Sequence, residues 1–176
     1  MKRLILIGLV AMLPATALGQ TKDDAAEQNV VMQLNHLHQT PTLDELTKIS
    51  PNARKVVERV ARTSAGIGQS RAIEVLAQIG DKKAQDLLMS LFNAPETREM
   101  TQHALLNALV THFGDDGLSL AKTWLRSEDL QRRLTAIHGL GQVDSPGSLA
   151  LLEAHLPKAK SAVERNATLK ALEHVR

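Results

Sequence analysis

An apolar helix pattern that returns every 31 to 33 residues constrains this chain more than any other feature. The blocks AIEVLAQIGD, ALLNALVTHFGD, LTAIHGLGQVD and ATLKALEHV place anchors at Leu76, Leu109, Leu140 and Leu172, spaced 33, 31 and 32 residues apart. Four positions before each anchor stands Ala72, Leu105, Ala136 or Thr168, on the same face of a helix. A unit of this length cannot bury its apolar stripe alone. It must stack on copies of itself, each unit stabilised by its neighbours.

The segments after the anchors support a second helix in each unit. Leu87, Leu88 and Leu91 follow the first anchor, then Leu118, Ala121 and Leu125, then Leu149, Leu152 and Leu156. The fourth block stops after its first helix. The joints carry helix-ending and helix-starting residues: Ile79-Gly80-Asp81, Phe113-Gly114-Asp115 and Val143-Asp144-Ser145. Gly80 and Gly114 stand where a helix would end in the left-handed conformation that glycine adopts cheaply. Asp81, Asp115 and Asp144 or Ser145 would then accept from the first free amides of the next helix. Ser50-Pro51 and Ser145-Pro146 place proline at an expected first helical position. TLDE at 42–45 and SAVE at 161–164 match the capping box, in which cap and acid bond each other's amides. No stretch alternates apolar and polar residues over a strand's length, so the expected class is all-α: an α-α superhelix of antiparallel helix pairs.

These blocks resemble HEAT repeats, in particular the short kind called PBS-lyase HEAT-like repeats, over roughly residues 69–176. The resemblance implies a short right-handed solenoid in which the second helices line a concave binding side and the turn aspartates are structural. It also implies an alternative, a lyase-related enzyme, for which the chain offers no reactive constellation. Two departures stand out: Asp144 lacks the preceding glycine, and THFGD carries an extra residue before its own. Residues 20–68 fit the pattern loosely, with helices expected over 23–38, 42–49 and 51–63 and a glycine-containing connection at 64–69. They read as an N-terminal cap or degenerate repeat covering the first unit's apolar side.

The first 19 residues set the expected compartment. Lys2 and Arg3 precede the apolar run Leu4–Leu13, and Ala17-Leu18-Gly19 supplies small residues before Gln20, the pattern of a secretory signal peptide. The run is too short to span a bilayer, and no later segment is long and apolar enough, so no stable membrane insertion of the mature chain is expected. The chain has 21 basic and 19 acidic residues, and two of the bases lie in the leader. A balanced mature chain argues against a nucleic-acid partner. With no cysteine at all, disulfides are excluded, and a bacterial periplasm fits better than a eukaryotic secretory route, general secretion being the alternative.

Candidate reactive groups reduce to structural ones. The turn carboxylates recur once per unit and so stand about a repeat width apart, unlike a converging acid–base pair. The acidic pairs Asp23-Asp24, Asp115-Asp116 and Glu128-Asp129 fall at helix starts, where negative charge suits the macrodipole. The seven histidines include no pair at i, i+4 spacing, so no metal site is expected. AGIGQS at 65–70 lacks the lysine and the strand of a phosphate loop. No cofactor and no catalytic residue are expected.

One aromatic row remains. Trp124, the single tryptophan, aligns with Ser90 in the preceding unit and about His155 in the next, and this polar company points the row outward. Packing between repeats is the competing reading for a lone tryptophan. Met89, Phe92, Thr123, Trp124, Arg126 and His155 are the candidate protein-binding residues, since large aromatics and arginine anchor interfaces. The expected function is an exported, non-enzymatic scaffold or adaptor that binds another protein on its concave side. The alternative is an inhibitor or immunity protein acting on an exported toxin or hydrolase.

Overall fold

The computed structural model describes residues 22–36 and 39–175. The expected leader, residues 1–19 with its cleavage motif, lies outside the described residues, as do Leu37, His38 and Arg176. Among the described residues there are ten α-helices and no strand. They are α1 (Lys22–Asn35), α2 (Leu43–Ile49), α3 (Ala53–Thr63), α4 (Gly66–Ile79) and α5 (Lys82–Asn93), then α6 (Glu99–His112), α7 (Gly114–Trp124), α8 (Leu130–Leu140), α9 (Pro146–His155) and α10 (Ala162–His174). A single 3₁₀ turn, Leu156–Lys158, extends α9.

The chain is an α-α superhelix of stacked helix pairs. Helices α4, α6, α8 and α10 pack in sequence to form one layer, and α5, α7 and α9 form the other. Each second helix also leans on the first helix of the next pair, α5 on α6, α7 on α8 and α9 on α10. The repeat anchors explain why. Leu76, Leu109 and Leu140 are fully buried and Leu172 nearly so, and Ala72, Leu105, Ala136 and Thr168, one turn earlier, are also buried. Small residues recur beside them, so the backbones approach closely. A Cβ built on Gly117 would stand 2.2 Å from the Leu109 carbonyl oxygen, so only glycine lets α7 lie this near α6.

At the N-terminal end α1 packs against α3 and α4, and α3 packs against α4 through a face made of Ala53, Val56, Val57, Val60 and Ala61. Helix α2 bridges α1 and α3. Its start is the capping box read from TLDE: the Glu45 amide donates to Thr42 Oγ1 at 3.3 Å and the Thr42 amide to Glu45 Oε2 at 2.8 Å.

The joints differ from one another more than their sequences suggest. Gly80 ends α4 at φ +67°, and Asp81 caps α5, accepting from the Ala84 amide at 2.8 Å. Gly114 takes the expected left-handed conformation, at φ +46°, but as the first residue of α7, and Asp115 lies inside that helix's first turn instead of capping it. The extra residue in THFGD moves the break to Phe113, and Asp115 acts only as a first-turn charge. Ser145, not Asp144, caps α9, accepting from the Ser148 amide at 3.1 Å, with Pro146 at the first helical position. Pro51 lies in a turn two residues ahead of α3. The expected connection at 64–69 is mostly helix, because α4 begins at Gly66. In SAVE, Ser161 caps α10, but the Glu164 carboxylate turns inward to other partners.

Candidate functional site

The six candidate binding residues divide by exposure. Thr123 and Arg126 are exposed and Met89 is half-buried, whereas Phe92, Trp124 and His155 are buried, at 8%, 7% and 6% exposure. Of the row expected to face outward, Ser90 is exposed, but Trp124 and His155 are covered. The cause is the lean of each second helix onto the next first helix, which closes over the end of the row. The Trp124 ring sits 5.6 Å from Phe92 and 5.1 Å from His103, which meets it edge-on, and the Arg132 guanidinium lies 5.4 Å above it. Such tilted and edge contacts, with a cation over the ring face, match the quadrupole of the aromatic system. His103 is held in place by a hydrogen bond with Thr135 on α8. Trp124 packs between repeats, the competing reading of its position.

Besides the Phe92–Trp124 pair, the structure brings two further candidates, Arg126 and His155, to one place. They line a groove of about 320 Å³ where α7, the C-terminal end of α9 and the start of α10 meet over the first turn of α8. Leu125, Leu151 and Ala154 supply its apolar wall. Lys122, Arg126, Lys158 and Lys160 stand around it, all exposed at the surface.

The floor is a buried ionic cluster. Arg133 Nε and Nη2 donate to the two Glu164 oxygens at 2.8 and 3.1 Å, and Nη1 donates to the Ser127 and Glu128 carbonyls, both at 2.8 Å. Glu164, completely buried, also pairs with His155 Nε2 at 2.8 Å and accepts from the Lys160 amide at 3.0 Å. Burial alone would raise its pKa. The bonds from Arg133, the Lys160 amide and His155 outweigh that and hold the carboxyl below its usual range. With both oxygens engaged by donors, Glu164 has no lone pair poised to take a proton from a substrate. The cluster is a joint that ties α8, α9 and α10.

This joint belongs to a ladder that the sequence reading passed over. Gln69, Thr101, Arg133 and Glu164 are all buried and occupy the first turns of α4, α6, α8 and α10. Gln69 Nε2 donates to the Ala61 carbonyl at 3.0 Å, and Thr101 Oγ1 donates to Gln69 Oε1 at 2.9 Å. The spacings of 32, 32 and 31 residues match the anchor period, so the signal was available. It is hidden because four different residue types share the position and only their burial reveals the common role.

Outside the groove the polar contacts between units are lateral ties. Asp81 is held by Arg54 at 2.6 and 3.0 Å, and Glu58 receives Lys83 at 2.7 Å. Gln85 reaches Asp116 at 2.6 Å, and His112 pairs with Glu74 at 3.1 Å. Among the described residues no three His, Cys, Asp or Glu side chains gather closely enough to hold a metal ion, and no helix is long and apolar enough to cross a membrane. Compared in sequence, the chain matches no protein-family model and no curated protein, so its functional reading rests on the groove and the fold that builds it.

Proposed function

We propose that this chain is an exported, non-enzymatic helical-repeat protein of HEAT-like type that binds another protein on the side formed by its second helices. The observation that carries this reading is the groove at the ends of α7 and α9, where exposed cations and an apolar wall surround a floor whose donors and acceptors are already satisfied. A surface of this kind recognises by shape and charge. Stacked pairs supply the rigid scaffold, since the anchors are buried in every unit and the pairs Gln69–Thr101 and Arg133–Glu164 tie the first unit to the second and the third to the fourth. Export to the periplasm is part of the proposal and rests on the leader pattern of residues 1–19.

The test is site-directed photo-crosslinking in the exporting cell. A photoreactive amino acid is placed at the position of Thr123 or Arg126, and for comparison at exposed His138 on the first-helix layer. A discrete protein adduct from the first two positions and none from the third is the expected result. Equal adducts from all three, or none from any, would sink the proposed face. A mass spectrum of the exported chain should begin at Gln20, and an uncleaved chain retained in the cytoplasm would refute the assignment to the periplasm.

A further inference from the structure

Resting on that reading, we propose that the groove between α7 and α9 receives an acidic segment of the partner, an apolar side chain flanked by carboxylates. Five cationic side chains line the groove, Lys122, Arg126, Arg133, Lys158 and Lys160, against the single carboxylate of Glu164. The whole chain carries 21 bases and 19 acids, so this is a local concentration in an almost balanced molecule.

The five cations are not equivalent. Arg133 is consumed by Glu164 and two carbonyls, and Lys160 shares its charge with Glu128 at 2.8 Å. Lys122, Arg126 and Lys158 have no acidic partner among the described residues. Three exposed cations around one cavity would repel each other in isolation. The carbonyl ends of α7 and of the turn after α9 offset part of that repulsion, since Lys122 lies in the last turn of α7 and Lys158 ends the turn. The helix ends make the cluster tolerable and leave its field directed outward, where a carboxylate completes the ion pairs.

The wall specifies the rest of the ligand. Leu125, Leu151 and Ala154 present apolar surface between the cations, and the volume of about 320 Å³ suits one branched side chain with flanking carboxylates. A polyphosphate backbone would leave that wall unfilled. The floor is preorganised because Arg133, His155 and Glu164 join three helices, which reduces the ordering cost of binding. Recognition of this kind weakens with salt, because the paired charges are exposed.

Fluorescence anisotropy of the mature protein with fluorescein-labelled Asp-Glu-Leu-Glu-Asp tests the proposal. The expected result is saturable binding that weakens as salt rises. Affinity should fall at least tenfold for Asn-Gln-Leu-Gln-Asn and severalfold for Asp-Glu-Ser-Glu-Asp. The double variant Arg126→Glu/Lys158→Glu should lose at least tenfold in affinity with an unchanged melting temperature, both side chains being exposed. The control Lys55→Glu/Arg62→Glu, on exposed positions of α3, should bind as the parent does. No binding, equal affinity for the neutral peptide, or equal weakening by the control pair would overturn the acidic-segment assignment. So would full retention by the groove variant, or displacement of the peptide by laurate or inorganic phosphate at comparable concentration. Adducts from Thr123 and Arg126 without peptide binding would leave the protein-binding face standing and refute this inference alone.

Discussion

At the residue scale, one position can be closed in two opposite ways. Leu109 fills the space between α6 and its neighbours and is fully buried, while Gly117 holds α7 against the Leu109 backbone. Leu109→Ala removes buried methyls and leaves a cavity, so it should cost about 3 kcal/mol and lower the melting temperature by roughly 10 °C. Gly117→Ala adds one methyl where the nearest backbone atom is 2.2 Å away, which forces α7 off α6 and should cost about 1–3 kcal/mol or more. Urea unfolding of both variants checks the pair. Near-zero change in the first would show that the repeat anchors are out of register, and near-zero change in the second would show that α7 does not lie as described. Trp124 teaches the same lesson from the polar side. Its row contains the exposed Ser90 and the buried His155, and Trp124 itself is buried because the next unit covers it.

At the scale of the element, helix α5 starts on Asp81, and this cap is also an ion pair across to α3. The Arg54 guanidinium first, and then the Ala84 amide, lower the Asp81 carboxyl from 3.8 to about 2. A carboxyl with a depressed folded pKa stabilises the fold above its unfolded pKa and loses that contribution as pH falls through the folded value. Asp81→Asn should therefore be less stable than the parent at pH 7, with the difference shrinking between about pH 4 and pH 2. Urea midpoints at pH 7, 3 and 2 measure this, and a pH-independent difference would show that the charge is not the source. The other two joints lack such a tie: Asp115 lies within α7's first turn and Ser145 caps α9. A recurring aspartate in the sequence thus has one capping role in three places.

At the scale of the whole molecule, stability is distributed along the stack. Helix α4 is covered on one side by α1 and α3, and its other side by α6. A chain lacking residues 20–63 would uncover the side of α4 that now rests on α1 at Gly68 and Arg71 and on the apolar face of α3 at Gln69. Terminal units of a stacked array must present a polar outer face to stay soluble. The shortened chain should melt lower, bind a hydrophobic dye and self-associate in sedimentation velocity. A monomeric shortened chain with the parent's melting temperature would show that α1 to α3 are dispensable. The groove sits at the opposite end of the array, so its peptide binding serves as a check that the remaining pairs are intact.

The helical class, the period and the buried anchors could be read along the chain because they depend on spacing within single helices. Leu76, Leu109, Leu140 and Leu172 follow the 3.6-residue helical period, and burial follows period. The caps at Thr42, Asp81 and Ser145 are likewise local, each joining groups three residues apart. Residue pairs about 31 apart decided the rest. Arg133 meets Glu164 and Gln69 meets Thr101 only because one unit lies on the next. Contacts of that range leave no periodic mark in composition, since any residue types that satisfy each other will serve. For the same reason the groove, with cations drawn from α7, the end of α9 and the loop before α10, belongs to the tertiary arrangement. Its charge arises from side chains far apart in sequence that the stacking sets around one cavity.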